Sequence, residues 1–169
     1  MKAFRVGSAA VLAGFLLTLA APPTPAHSAI YIVRHAEKRD PKDPKSLLSG
    51  KGKKRADDLK RVLSSVELKA VYVTEFERTR QTAVPTAVAQ GLKPKTINSE
   101  DLDGLIAALK ALPENEDVLV VGHTDTIPDL LKKLGVARPV KLEADDYDNL
   151  FIVTLQKDKP AAFSWLHFQ

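Results

Sequence analysis

Cysteine is absent from this chain of 169 residues, which excludes disulfide bonds, thiolate metal ligands and lipid attachment to a cysteine. No uninterrupted apolar run reaches the ~20 residues that a membrane-spanning helix needs. Charge of one sign is lacking as well, because 25 basic residues stand against 21 acidic ones. We therefore expect no nucleic-acid partner from net charge, and a single buried domain that needs no covalent cross-links.

The first 28 residues have the order of charge, apolar core and small residues that is typical of a secretory signal peptide. Lys2 and Arg5 form the basic start, and residues 11–21 (VLAGFLLTLAA) are almost wholly apolar. We predict export to the periplasm or the medium, with residues 1–28 removed by cleavage before Ala29. Cleavage after Ala26 is the alternative. We then expect no stable membrane association. An uncleaved N-terminal anchor is the other interpretation.

Short apolar runs alternate with amphipathic segments along residues 29–169. The expected strands are the β-rich runs 30–33, 70–74, 95–97, 118–121, 150–155 and 162–168. The expected helices have apolar residues at helical spacing and cover 52–66, 79–90, 101–112 and 127–134. Pro85 belongs in a first turn or at a kink. This order predicts one three-layer α/β/α domain with a mostly parallel sheet and an antiparallel edge.

Two of the four histidines directly follow central strands of this predicted sheet. Arg34 and His35 come after the run IYIV, His123 comes after VLVV-Gly, and Arg78 follows the second strand. In open α/β sheets ligands bind at the carboxyl ends of the strands, so we expect these side chains at one edge. The fork of a guanidinium fits phosphate oxygens, and a neutral imidazole is a competent nucleophile. The pattern indicates chemistry on a phosphoryl group.

The motifs around these residues resemble those of the histidine phosphatase superfamily, the phosphoglycerate-mutase-like group. The sequence has RHAE (34–37) where the family has Arg-His-Gly/Ala, and LSGKG (48–52) where the family begins a helix. It also has RTRQTA (78–83) for the family's Arg-Ala-x-Gln-Thr-Ala, and Gly-His (122–123) for its second histidine. The resemblance covers nearly all of residues 29–169. It implies a small member with no inserted cap and hence an open, shallow site.

The resemblance also implies roles for individual residues. His35 is the nucleophile that becomes phosphohistidine, while Arg34, Arg78 and His123 hold the phosphoryl oxygens. No metal and no other cofactor is implied, and the sequence contains no HExxH motif. The backbone N–H of Thr124 is a further candidate contact for phosphate, with helix capping as its alternative role. The expected partner is a phosphorylated small molecule or a phosphoprotein.

The general acid is the open point of this interpretation. Some relatives have an Asp directly after the second histidine, where this chain has Thr124. Asp125 lies one residue further on, with a helix N-cap as its alternative role, and Glu100 lies in the loop region where larger relatives place a Glu. If neither acts, leaving groups that need no protonation are favoured, such as phosphohistidine or acyl phosphates. We take Arg80, close to Arg78 in the sequence, as a surface residue or as one that lies behind the phosphate contacts.

Three functions fit these motifs: a phosphatase, a non-catalytic binder of phosphorylated ligands, and a phosphosugar mutase. The complete set of two arginines and two histidines argues against a binder. A mutase must exclude water, which argues against it in a short chain without a cap. The basic residues between 38 and 55 either attract anionic substrates or form a solvated surface.

Overall fold

The computed structural model describes residues 28–155 and 160–168. The predicted signal peptide lies outside these residues except for Ser28, which already belongs to the first strand. The Ser28 side chain is buried, and its hydroxyl donates a hydrogen bond to the carbonyl oxygen of Pro113. No helix within the described part of the chain is long and apolar enough to cross a membrane.

Within the described residues, ten elements follow one another in the predicted alternating order. The strands are β1 (Ser28–Arg34), β2 (Leu68–Val73), β3 (Lys95–Thr96), β4 (Asp117–Gly122), β5 (Asn149–Leu155) and β6 (Ala162–His167). The helices are α1 (Gly50–Val62), α2 (Glu77–Ala89), α3 (Leu102–Lys110) and α4 (Thr126–Lys133). Every predicted element is present, with ends that differ from the prediction by a few residues.

The strands form one six-stranded sheet in the order β3-β2-β4-β1-β5-β6. The pairs β3–β2, β2–β4 and β4–β1 are parallel, whereas β5 and β6 pair antiparallel at one edge. The prediction of a mostly parallel sheet with an antiparallel edge is therefore confirmed. Because β1 and β4 are central and covered on both faces, their sequences are nearly continuous apolar runs.

Two hydrophobic clusters lie on opposite faces of the sheet. On one face Ile32 and Val120 pack in a cluster with residues of α3 and α4, among them Leu109 and Leu131. On the other face the residues that alternate with them pack against α1 and α2. The arrangement is the predicted three layers, and it holds the carboxyl ends of β1, β2 and β4 side by side.

Pro85 lies in the interior of α2 and not in its first turn. A proline at this position removes one intrahelical hydrogen bond. The neighbouring Ala83 and Ala87 are fully buried in the cluster that includes Leu59 of α1. Tertiary packing therefore sustains the helix through a residue that local propensity would place at its end.

Candidate active site

The nucleophile candidate His35 and its partner His123 lie side by side because β1 and β4 are neighbours in register. Arg34 pairs with Gly122 across the two strands, and the backbone N–H of His35 donates to the carbonyl oxygen of Gly122 at 3.0 Å. Each histidine follows the end of its strand directly. Their ring centroids lie 5.4 Å apart, so the structure brings both predicted imidazoles to one edge of the sheet.

The protonation of His35 follows from its hydrogen bond. Its Nδ1 lies 2.8 Å from the carbonyl oxygen of Ala36, and a carbonyl oxygen only accepts, so Nδ1 carries the proton. The lone pair is then on Nε2. Burial of the ring, followed by the positive charges of Arg78 and Arg34, lowers the pKa of His35 from 6.5 to about 3. His35 is therefore a neutral imidazole at physiological pH, as a nucleophile must be.

His123 is held in the opposite tautomer. Its Nδ1 lies 3.3 Å from Nη2 of Arg78, and a guanidinium only donates, so Nδ1 is unprotonated. The proton is then on Nε2, which donates to the hydroxyl of Thr74 at 2.9 Å. Burial, and next the charge of Arg78, lowers the pKa of His123 to about 4. Both histidines are thus neutral beside positively charged arginines.

Thr74 continues this hydrogen bond into the fold. Its hydroxyl lies 3.0 Å from that of Thr79, which in turn donates to the carbonyl oxygen of Phe76 at 2.7 Å. Thr74 and Thr79 were not among the predicted site residues. The position of Thr74 could have indicated it, since Thr74 directly follows a central strand just as His35 and His123 do.

Arg34 is buried and is held by the segment before β5. Its Nη1 donates to the carbonyl oxygens of Glu143 and Ala144, both at 3.0 Å, and to that of Asp146 at 3.3 Å. The Tyr147 ring lies 4.0 Å from its guanidinium carbon and 6.1 Å from the His35 ring. Segment 143–147 has no motif that sequence reasoning could have recognised.

Arg78 reaches the same edge from the start of α2. Its Nη1 donates to the carbonyl oxygen of Pro44 at 2.6 Å, and its guanidinium lies 4.1 Å from the centre of the Phe76 ring. Arg80, by contrast, is exposed and pairs with Glu77 on the surface of the helix.

Arg34 and Arg78 share one feature that points to a ligand. Within residues 28–155 and 160–168, the Nε of each arginine is buried and has no hydrogen-bond partner. A buried charged donor without an acceptor is costly, so both guanidinium groups gain from negative charge placed nearby. The two arginines that were predicted to hold phosphate therefore make this edge of the sheet favourable for an anion.

An open pocket of about 480 Å³ lies in front of His35, His123 and Arg78, whereas the buried Arg34 is not among its lining residues. Its lining comprises His35, Phe76, Arg78, Ser99, Glu100, His123, Thr124, Asp125 and Thr126. In the part of the chain that the structure describes, no group of three or more His, Asp or Glu side chains is arranged to hold a metal ion.

The carboxylates near this pocket differ in what they bind. Asp125 is the N-cap of α4 and accepts a hydrogen bond from the backbone N–H of Thr126, so the alternative capping role for Thr124 is wrong. Thr124 precedes the cap and lines the pocket. Glu75, which sequence reasoning missed, accepts from the backbone N–H and the hydroxyl of Ser99. Burial opposes ionisation, but these hydrogen bonds hold the pKa of Glu75 below its ordinary value.

The segment after the nucleophile is fixed by the start of α1. The Glu37 carboxylate is buried and accepts hydrogen bonds from Nε and Nη2 of Arg55 at 2.8–3.0 Å. Burial raises the pKa of Glu37, but these hydrogen bonds outweigh it and lower the pKa below its ordinary value. The carbonyl oxygen of Glu37 accepts from the N–H of Ser49. A Cβ on Gly52 would lie 2.3 Å from that oxygen, so only glycine fits there. The LSGKG motif thus allows α1 to approach the backbone next to His35.

Comparisons with known proteins agree with this geometry. Residues 30–103 match the sequence profile of the histidine phosphatase superfamily (branch 1). A comparison with curated protein sequences finds no significant match. Among solved structures, the protein histidine phosphatase SixA complexed with tungstate has a TM-score of 0.69 and 22% sequence identity, covering 83% of this chain and 96% of its own.

Two further structures with this fold have different substrates in their names. Phosphoglycerate mutase from Plasmodium falciparum has a TM-score of 0.60 and 16% identity, covering 82% of this chain and 89% of its own. Mycobacterial glucosyl-3-phosphoglycerate phosphatase has a TM-score of 0.64 and 12% identity, covering 82% and 97%. At such identities the likeness shows a shared fold and leaves the substrate to be argued from the site.

Proposed function

Since the chain belongs to the histidine phosphatase superfamily, we propose that it is a phosphatase that works through a phosphohistidine on Nε2 of His35. The observation that carries the proposal is the hydrogen bond from Nδ1 of His35 to the carbonyl oxygen of Ala36. It holds the proton on the far nitrogen, so Nε2 has a lone pair for attack on phosphorus. The positive charge of Arg78 at the pocket, with that of Arg34 behind it, attracts the phosphoryl oxygens.

The reaction proceeds in two steps. In the first, the Nε2 lone pair forms a bond to phosphorus while the bond to the leaving group breaks and its electron pair departs with that group. In the second, water attacks phosphorus, and the electron pair of the P–N bond returns to Nε2. The attacking water gives up a proton as inorganic phosphate forms. The positive charges of the two arginines stabilise the phosphoryl oxygens in both steps.

The carboxylates around the pocket favour leaving groups that carry their own proton. Glu75 is held ionised by Ser99, and Asp125 accepts a hydrogen bond as a helix cap, so neither supports the role of proton donor. Glu100 is exposed at the pocket, and no hydrogen bond among the described residues orients its carboxylate toward His35. A phosphoramidate or a phosphohistidine takes up a proton on nitrogen from the solvent and departs as a neutral amine or imidazole. We therefore propose P–N compounds and acyl phosphates as the substrate class.

A mutase is disfavoured by the same pocket, because its open shape admits water to the phosphohistidine. A non-catalytic binder would use the two arginines without needing a neutral His35. The covalent intermediate therefore separates the proposed phosphatase from a binder.

Rapid acid-free quench with phosphoramidate tests the proposal. We expect a base-stable, acid-labile phosphoprotein and release of inorganic phosphate, both unaffected by EDTA. His35→Gln should abolish label and turnover, whereas the matched control His167→Gln, at an exposed histidine, should retain both. Label that persists in a folded His35→Gln protein, or activity that disappears with EDTA, would refute the mechanism.

A further inference from the structure

A narrow apolar crevice opens beside the candidate active site, over the carboxyl ends of β2 and β4 and between α3 and α4. Its wall includes the half-buried side chains of Ile97, Leu102 and Leu105, and Leu130 is buried behind them. Compared with about 480 Å³ for the open pocket, the crevice has a volume of about 30 Å³. That is room for about two water molecules, each of which needs ~10–15 Å³.

The crevice adjoins the pocket that contains His35 and His123, and Ser99 and Thr126 line both. The polar atoms at this junction already have partners. The Ser99 hydroxyl donates to Glu75, and the Thr126 hydroxyl bonds to the backbone of His123. What the crevice offers a ligand is therefore apolar surface, where water makes few hydrogen bonds and is readily displaced.

The segment between β3 and α3 explains why this surface is open. Only residues 97–101 connect the two elements, and they pass beside the crevice without covering it. Ile97 and Leu102, at the two ends of this connection, are consequently left half-buried next to the pocket. A group attached to a phosphoryl that is held in the pocket at Arg78 has this apolar surface next to it.

We propose that the crevice is a subsite for the leaving group and that it selects a flat ring of imidazole or phenyl size. The inference rests on the proposed function, because it assumes that a phosphoryl group occupies the adjoining pocket. Only the edge of the ring enters, where it replaces the two waters and contacts Leu102 and Leu105, while the rest of the ring stays in the open pocket. A sugar would place its hydroxyl groups against a wall that is mostly apolar and has few polar side chains, among them Asn98 and Asp101.

The test compares two phosphonates that are not hydrolysed and differ only in the ring. Calorimetry on the full chain should give phenylphosphonate a Kd on the order of 10-fold lower than methylphosphonate, the range for a small apolar group in a fitting pocket. Leu105→Phe, which fills the crevice, should abolish this preference. Val88→Phe is the matched control, since Val88 is 70% exposed on α2, away from the crevice. If Leu105→Phe does not fold, Leu102→Ala, which removes one wall, should also weaken the preference.

Turnover of phosphoramidate, whose leaving group has no ring, reports on the proposed function separately. Turnover with equal binding of the two phosphonates, or an unchanged preference in folded Leu105→Phe, would overturn the subsite. A preference for phenylphosphonate without any turnover would support the subsite and overturn the phosphatase. The result that we expect is loss of the preference in Leu105→Phe, with both the preference and phosphoramidate turnover retained in Val88→Phe.

Discussion

The two neutral histidines should make the protein lose stability as the pH falls below 7. The pKa of His35 is about 3 and that of His123 about 4 in the folded state, against an ordinary value of 6.5 that we take for the unfolded chain. Between these values the unfolded state binds protons that the folded state does not. The free energy of unfolding therefore falls as pH falls through this window.

The size of the effect follows from the same values. Between pH 7 and pH 5, protonation of the unfolded chain lowers the free energy of unfolding by roughly 2 kcal/mol for each of the two histidines. Near pH 5 this figure depends little on the folded pKa, because both folded values lie about one unit or more below that pH. Most carboxylates remain ionised at pH 5, so the histidines dominate the change.

Urea denaturation at pH 7, 6 and 5, in buffers without phosphate, measures the effect. Replacing His123 by Gln, which does not titrate, should reduce the loss between pH 7 and pH 5 by about 2 kcal/mol. The control His167→Gln alters an exposed histidine outside the site and gives the reference against which His123→Gln is compared at each pH. An undiminished pH dependence in folded His123→Gln would show that the histidine is not held neutral and would refute this reasoning.

Three further predictions test the site and its origin. Arg78→Ala should lower turnover ~10²-fold or more, which is the scale of removing one preorganised donor. Arg80→Ala should have little effect. Equal losses of turnover in steady-state assays would mean that the phosphate-binding arginine is misassigned. Gly52→Ala should lower the free energy of unfolding by about 1–3 kcal/mol and reduce turnover, since its Cβ meets the Glu37 backbone. Gly50→Ala has open space around its Cβ, so its free energy of unfolding in urea titrations should change little. Export should yield a mature N-terminus near the start of β1. Because Ser28 is buried in that strand, we expect the cleavage after Ala26, which keeps Ser28, in preference to the cleavage before Ala29. Recovery of the intact chain outside the cytoplasm by N-terminal sequencing would contradict this.

Phosphate binding should change the protonation of the site. A phosphate dianion next to His123 favours the charged imidazolium and raises the pKa that burial and Arg78 now lower. The Nδ1 atom, which accepts from Arg78 in the free protein, would then become a donor to the ligand. The depressed pKa thus keeps the empty site free of a third positive charge.

Much of this protein was determined locally by its sequence. The alternation of apolar runs and amphipathic segments predicted the order of all ten elements, because strand and helix periodicity depend on neighbouring residues. His35 and His123 could be placed at one edge for a related reason: each follows a run that is buried on both faces, and parallel strands end on the same side. Pro85 is the exception: local propensity disfavours it inside a helix, but the packing of Ala83 and Ala87 keeps this segment helical.

Contacts between distant segments decided the rest. Arg34 is held by carbonyl oxygens more than 100 residues away, and His123 by a hydroxyl 49 residues before it. The tautomers follow from which donor or acceptor lies beside each ring nitrogen, and so does the unpaired Nε of each arginine. The apolar crevice exists only where two helices and two strand ends meet. No spacing in the sequence encodes such positions, because they arise when the layers pack and bring separate backbone and side-chain groups within hydrogen-bonding distance.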